Sequence, residues 1–238
     1  MAKLVFDIET AGEDFESLDD VTQKSLTKWV ANSFTSDTEA YKNAIEKVKK
    51  GTVFVPTTSE IVAIGVLDYE KEKAVVYFQA PNKKIEEFEE GEVKFKPSTE
   101  AEMLEGFWRG AENYEEFISY NGRAFDVPFM MIRSAVHGIH PTKNLIGARY
   151  LYQHRQGELH VDLQDQFTFY GAMRATGMSL HMLSRAFGIK SPKDSGVMGD
   201  DVTKLFREGK YLDIARYNVG DLWATKELYD YWKKYLAF

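Results

Sequence analysis

With 238 residues, 44% of them hydrophobic and 14% aromatic, the chain holds enough apolar material for one large core. One domain spanning 1–238 is the expected organisation. A formal charge of −7 argues against a protein that simply coats nucleic acid, and the absence of cysteine removes disulfides, thiolate zinc sites and cysteine nucleophiles.

No apolar run approaches the ~18 residues of a membrane span. The start "MAKLVFDIET" lacks the basic-then-apolar pattern of a secretory leader, so a cytoplasmic location is expected. Residues 3–8 read as a buried strand that runs into two acids, Asp7 and Glu9. Residues two apart on a strand share a face, so the two carboxylates sit side by side at its end. In a partly buried place they repel unless a cation lies between them.

Residues 60–67, "EIVAIGVL", and 73–79, "KAVVYFQ", read as two further strands joined as an antiparallel hairpin by a short polar linker. The segment 13–58 is too long for a bare loop. Its stretches "LDDVTQKSLTKWVANSF" and "DTEAYKNAIEKVKK" predict a helical insertion, with Gly51 as a stop and 52–58 returning the chain to the sheet. The mixed-charge run 83–97, "KKIEEFEEGEVKFKP", reads as a solvated surface loop. A helix follows, with Ser98 or Thr99 as its cap and Glu102 as capping-box partner.

Residues 116–122 predict a strand ending in a turn. "VPFMMIRSAVHG" predicts a helix with Pro128 near its start and Gly138 after its end. Residues 158–163 read as a short edge strand. The rest is helical near 164–170, 179–187, 200–208 and 211–235. The order is an α/β pattern with a mixed sheet, and sites in such sheets form at the carboxyl ends of strands.

Two further acids stand in telling contexts. Asp126, in "SYNGRAFDVPF", follows a strand end and an Asn-Gly turn and opens a helix; alone it reads as a helix N-cap. Asp221, in "ARYNVGDLWATKELY", lies four residues after Tyr217, so on a helix the two share a face. Alone, that pair reads as a core aromatic beside a surface acid. Taken together, Asp7, Glu9, Asp126 and Asp221 form a carboxylate set without sulfur or paired histidines. Such a set suits hard, oxygen-seeking cations, Mg²⁺ or Mn²⁺. Two such ions ~3.5–4 Å apart form the clamp used for in-line attack on a phosphodiester. With an ordinary pKa of ~10, the Tyr217 phenol would position a water rather than deprotonate it.

"FDIET", "YNGRAFDVPFMMIR" and "YNVGDLWAT" resemble, in order, the three motifs of the DEDD superfamily of 3′–5′ exonucleases, in its tyrosine subclass. The nearest resemblance is to the proofreading exonuclease domain of family B DNA polymerases and its stand-alone relatives, over roughly 1–235. The resemblance implies a ribonuclease H-like fold with a central mixed five-stranded sheet flanked by helices. It places metal ligands on Asp7, Glu9, Asp126 and Asp221, a water-orienting tyrosine on Tyr217, and contacts to the 3′-terminal nucleotides on Asn121 and Phe125. Core packing is an equal reading of Phe125. Thr10 is a further nucleotide contact and Lys193 a phosphate contact, with a solvated lysine as the plainer reading. Arg123 and Arg133 are candidates for backbone phosphates, while Asp162, in "HVDLQD", reads as structural.

The implied activity is release of nucleoside 5′-monophosphates from single-stranded 3′ ends, DNA favoured over RNA, with two divalent ions. No polymerase domain is expected within the chain, which reaches Phe238 soon after the third motif. A competing reading is an inactive relative that binds nucleic-acid ends. Its expected mark, a lost acid or tyrosine, is missing. Ions that merely staple a compact acidic loop are disfavoured because these acids lie far apart in sequence.

Overall fold

The computed structural model describes residues 2–36, 38–191 and 199–237. Their architecture is a mixed sheet with helices on both faces. The strands are β1 (Lys3–Gly12), β2 (Ser59–Asp68), β3 (Lys73–Phe78), β4 (Phe88–Glu90), β5 (Val93–Pro97), β6 (Glu116–Ser119) and β7 (Leu159–Asp162). They lie in the order β4-β5-β3-β2-β1-β6-β7. β1 pairs antiparallel with β2 and parallel with β6, and β6 runs parallel to β7. The carboxyl ends of β1, β6 and β7 therefore point the same way.

The sheet has seven strands where five are implied by the resemblance. Strands β1, β2, β3, β6 and β7 form the expected set, and β4–β5 extend it past β3. This corrects the reading of 83–97 as a solvated loop. Within it Val93 and Phe95 alternate with Lys94 and Lys96, the period of a half-buried strand. Phe88 stacks on Phe95 at 4.9 Å, and Gly91 turns the hairpin at φ 59°. The density of charge hid that alternation.

Alternation along β1 builds two cores. Leu4, Phe6 and Ile8 face α3 (Glu100–Ala111) and α4 (Asp126–Val136), packing with Met103, Phe107, Trp108 and Phe129. Val5 and Ala11 face the opposite layer, where α8 (Tyr211–Tyr235) contributes Ile214, Leu222, Leu228 and Tyr229. Each large side chain so buried is worth about 1.5–3 kcal/mol of transfer free energy. Thr99 and Glu102 form the expected capping box on α3.

The insertion is helical as expected: α1 (Asp20–Ser33) and α2 (Glu39–Gly51) pack on each other. A 3₁₀ turn over Thr52–Phe54 then returns the chain to β2. The remaining α-helices among the described residues are α5 (Leu163–Phe167), α6 (Leu180–Phe187) and α7 (Val202–Arg207). No helix among the described residues is long and apolar enough to cross a membrane.

Candidate active site

The strand carrying Asp7 and Glu9 runs on to Gly12, so these acids lie inside β1 rather than at its end. What ends earlier is the pairing on one side: β6 accompanies β1 only as far as Val5↔Ile118. Beyond that point the Ile8 N–H donates to Asp126 Oδ1 at 3.0 Å. Asp126 thus takes a backbone donor that the sheet leaves open, and it does so between the two acids of β1. It is not the N-cap of α4. That place falls to Phe125, which makes no side-chain cap bond.

Asp7 and Glu9 share the face of β1 that looks toward α8, where Asp221 sits one helical turn after Tyr217. One carboxylate oxygen from each of Asp7, Glu9 and Asp221 lies within 4.8 Å of the others. Asp126 is not part of that close triple, although its charge acts on Asp7. Burial, followed by the charges of Asp221, Asp126 and Glu9, holds the Asp7 carboxyl well above the usual carboxylate range. Glu9 is raised by burial and by Asp221. Asp126 is pushed up to about 7, chiefly by burial, against the hydrogen bond from Ile8.

The contrast with Glu100 is instructive. That carboxylate is only 5% exposed. Burial alone would raise its pKa, yet the pKa is lowered, because Arg133, the Ile61 N–H and His137 all point at it. Arg133 holds it through Nε at 2.8 Å and Nη2 at 2.6 Å. At Glu100 the buried charge is met by a cation and two further hydrogen-bond partners. At Asp7 and Glu9 the charges acting are other acids, relieved by one neutral amide. Crowded hard oxygen donors of one sign fit a divalent cation.

That amide belongs to Asn218, fully buried on α8, whose Nδ2 donates to Asp7 Oδ2 at 2.7 Å. Its Oδ1 has no hydrogen-bond partner. Gly65 of β2 stands opposite Asp7 in the sheet and leaves the room Asn218 occupies. A Cβ at Gly65 would overlap Asn218 Oδ1 and lie 2.9 Å from Leu222 Cδ1. Neither Asn218 nor Gly65 was among the residues expected from sequence. The available signal was that Asn218 lies three residues before Asp221 and so shares its helix face. We expect Gly65→Ala to displace α8 from β2 and cost about 1–3 kcal/mol by overpacking. Activity should fall further than stability, because Asp7 loses its orienting donor. A thermal melt beside a cleavage assay checks this.

Tyr217 is 7% exposed. Burial first, then the charges of Asp221, Glu9 and Asp7, raise its pKa far above the ordinary value. The phenol is therefore protonated at neutral pH and is a hydrogen-bond donor there, not a base.

The second motif is held from β7. Asp162 accepts from the N–H of Asn121 at 2.9 Å and of Arg123 at 3.0 Å, and it caps α5 through Gln164. This matches the structural reading of Asp162. Asn121 adopts φ 62°, a left-handed conformation that Asn tolerates in tight turns. Ser119 and His160 meet at 2.8 Å beneath this turn, and His160 Nδ1 lies 2.9 Å from the Leu145 carbonyl. Burial lowers the His160 pKa to about 4, so the ring is neutral. Its proton is then on Nδ1, facing the carbonyl, and Ser119 donates to Nε2.

The other expected contacts fare unevenly. Phe125 is half-buried, packed on Phe129 at 5.4 Å and edge-on to Phe54 of the insertion at 6.1 Å. Thr10 is beside the acids, but its hydroxyl donates to the Val53 carbonyl at 2.9 Å and ties the insertion to β1. Arg133 is committed to Glu100 and the Pro56 carbonyl rather than free for phosphate. Arg123 Nε pairs with Asp165 at 2.8 Å. Lys193 lies outside the described residues.

Fold and site together define an α/β protein of the ribonuclease H type with the architecture of a polymerase exonuclease domain. Among solved structures it resembles the family B DNA polymerase from the hyperthermophilic archaeon Pyrobaculum calidifontis, with a TM-score of 0.59 and 16% identity. The match covers 98% of this chain and 24% of the polymerase, so the chain spans about a quarter of that protein's length. Residues 54–235 match a family described as a predicted 3′–5′ exonuclease related to the exonuclease domain of PolB, and the chain belongs to that family. Asn121, Phe125, Asp126, Tyr217 and Asp221 fall inside the matched residues. Asp7 and Glu9 precede them and are brought to the same place by β1. A search of curated proteins found no match.

Proposed function

We propose that the chain is a metal-dependent 3′–5′ exonuclease of the tyrosine subclass. It removes nucleoside 5′-monophosphates from single-stranded 3′ ends, DNA in preference to RNA. The observation that carries this reading is the close, mutually repelling set of half-buried Asp7 with buried Glu9 and Asp221, beside a protonated Tyr217 and with Asp126 alongside.

These four acids would hold two divalent ions, Mg²⁺ or Mn²⁺. Bound there, the ions would lower the pKa of a water and stabilise charge on the leaving oxygen. The chain's own residues do the rest. Asn218 fixes the orientation of Asp7, and the Ile8 N–H fixes that of Asp126. Tyr217 supplies a phenolic hydrogen bond to the attacking water without taking its proton. The Asn121 turn and Phe125 stand beside Asp126 to meet the terminal nucleotide, whose base offers a π face of any sequence.

A 5′-labelled single-stranded DNA incubated with the protein and Mg²⁺ or Mn²⁺ should give a descending ladder. The label should remain on the shortening strand, and EDTA should stop the reaction. Internal cuts, or loss of the 5′ label first, would overturn the assigned polarity. Retained binding without cleavage under either metal would favour an end-binding protein.

The raised acids also predict a pH dependence. A carboxyl whose folded pKa exceeds its unfolded value contributes stability that is complete below about 4 and is lost as pH rises through the folded pKa. That window runs up to about 7 for Asp126, and burial and neighbouring acids shift Asp7 and Glu9 in the same direction. His160 acts oppositely: its lowered pKa costs stability as pH falls from about 6.5 toward 4. Above pH ~6.5 the acids dominate. The melting temperature in EDTA should therefore fall between pH 6.5 and 8.5. Saturating Mn²⁺ should restore it, by about 2.7 kcal/mol at a hundred times Kd. A parallel fall with and without metal would contradict the assignment.

A further inference from the structure

The chain is acidic, yet its charge is unevenly placed. Residues 127–191 contain seven Lys and Arg against three acids, within a chain of 30 Lys and Arg against 37 acids. Between Asp126 and Glu158 there is no acid at all. Two of the three acids are already committed: Asp162 to backbone N–H groups, and Asp165 to Arg123 and Arg149. Arg155, Arg174, Arg185 and Lys190 make no ion pair among the described residues.

This basic region carries an exposed aromatic face. Tyr150 and Tyr152 lie nearly parallel, their planes 19° apart and their centroids 5.8 Å apart. Tyr170 also packs on Tyr150, tilted, at 4.8 Å. Tyr152 is 82% exposed, an unusual place for a large ring with nothing to cover it. The backbone is held in left-handed conformations at Phe169 (φ 51°) and Tyr170 (φ 56°), which is costly for aromatic residues. Arg149 stabilises the arrangement by donating to the Tyr170 carbonyl at 3.1 Å and to Asp165 at 2.9 Å.

Asp165 joins this face to the candidate active site, because its other oxygen accepts from Arg123 of the second-motif turn at 2.8 Å. Asp165 sits in α5, just past the carboxyl end of β7, and β7 itself lies two strand spacings, about 10 Å, from β1. The contacts from Arg123 through Asp165 and Arg149 to Tyr170 and Tyr150 make one continuous link between the second-motif turn and the tyrosines.

Resting on the exonuclease reading above, we infer that Tyr150 and Tyr152 form an accessory stacking platform for the single strand upstream of its 3′ end, with Arg155 and Arg174 meeting its phosphates. Exposed rings stack on any base, and local positive charge draws the backbone, which together give sequence-tolerant grip. The platform explains how a net acidic chain holds an anionic strand.

The test compares (dT)12 with (dT)3. For the Tyr150→Ala/Tyr152→Ala variant, KM for the 12-mer should rise by about tenfold or more, the size of losing a stacked base. The kcat should stay unchanged, as should both constants for the 3-mer. Anisotropy of a labelled (dT)12 should weaken by the same factor. Tyr150→Phe/Tyr152→Phe should retain binding, since the ring and not the hydroxyl does the work. Arg155→Gln should lower the salt dependence of 12-mer binding by about one counterion. Unchanged 12-mer binding in a folded double alanine variant, or equal losses on both lengths, would overturn the platform while leaving the exonuclease reading intact. Failure of the wild-type protein to cleave or bind either oligonucleotide would overturn both.

Discussion

Asp7→Ala is expected to abolish cleavage and to leave the protein folded. Loss of residues that only orient a metal ligand costs about 10–100-fold, so removing a ligand itself should exceed a hundredfold. The fold should survive for an electrostatic reason. Asp7 is repelled by Asp221, Asp126 and Glu9, and its removal lowers the pKa of the acids that remain. Against this, the buried Nδ2 of Asn218 loses its acceptor, at about 1–3 kcal/mol. In EDTA at pH 8 the two effects should nearly offset, leaving the melting temperature within a few degrees of wild type. Asp7→Asn keeps an acceptor for Asn218 and should be the more stable variant, with activity equally lost. Wild-type activity in either variant would remove the cation site from the account.

Tyr217→Phe should slow cleavage by about ten- to a hundredfold, the value of one hydrogen bond to a developing charge. The phenol is protonated throughout the neutral range, so the shape of the pH–rate profile should survive the substitution. Mn²⁺ affinity should fall by less than the rate, because the ring still fills its place between α8 and β1 and all four carboxylates remain, with only the phenol's hydrogen bond to Asp221 lost. A proportionate loss of rate and metal affinity would mean that the phenol supports the acids instead of acting on water. A lost limb of the pH profile would mean that it titrates during the reaction.

Much of this was legible because the relevant periods are short. Two acids two apart on a strand must share a face, and a tyrosine and an acid four apart on a helix must do so too. Those two rules place Asp7 beside Glu9 and Tyr217 beside Asp221 before any fold is known. What the sequence concealed depends on contacts between distant elements. The role of Asn218 requires knowing that β2 passes beneath α8 at a glycine. The commitment of Thr10 to Val53 requires knowing where the insertion returns.

Arg133 resembles a phosphate ligand until Glu100 is found opposite it. Asp126 resembles a cap until β6 is seen to end early and expose the Ile8 N–H. The hairpin of β4 and β5 was hidden differently: its alternation is local, but its charges imitate a solvated loop. Burial on one side only permits such a composition. The exposed pair Tyr150 and Tyr152 gave no signal at all, since two tyrosines two apart are ordinary in any chain.

The proposed function depends on the acids gathered by β1, α4 and α8 holding divalent cations. Titration of Mn²⁺ into the metal-free protein at pH 8, followed by electron paramagnetic resonance of the free ion, tests it most directly. The expected result is saturable binding that weakens as pH falls through about 7, where Asp126 takes up its proton, and that is lost in Asp7→Ala. Binding that is absent in the folded wild-type protein, or unchanged in Asp7→Ala, would contradict it.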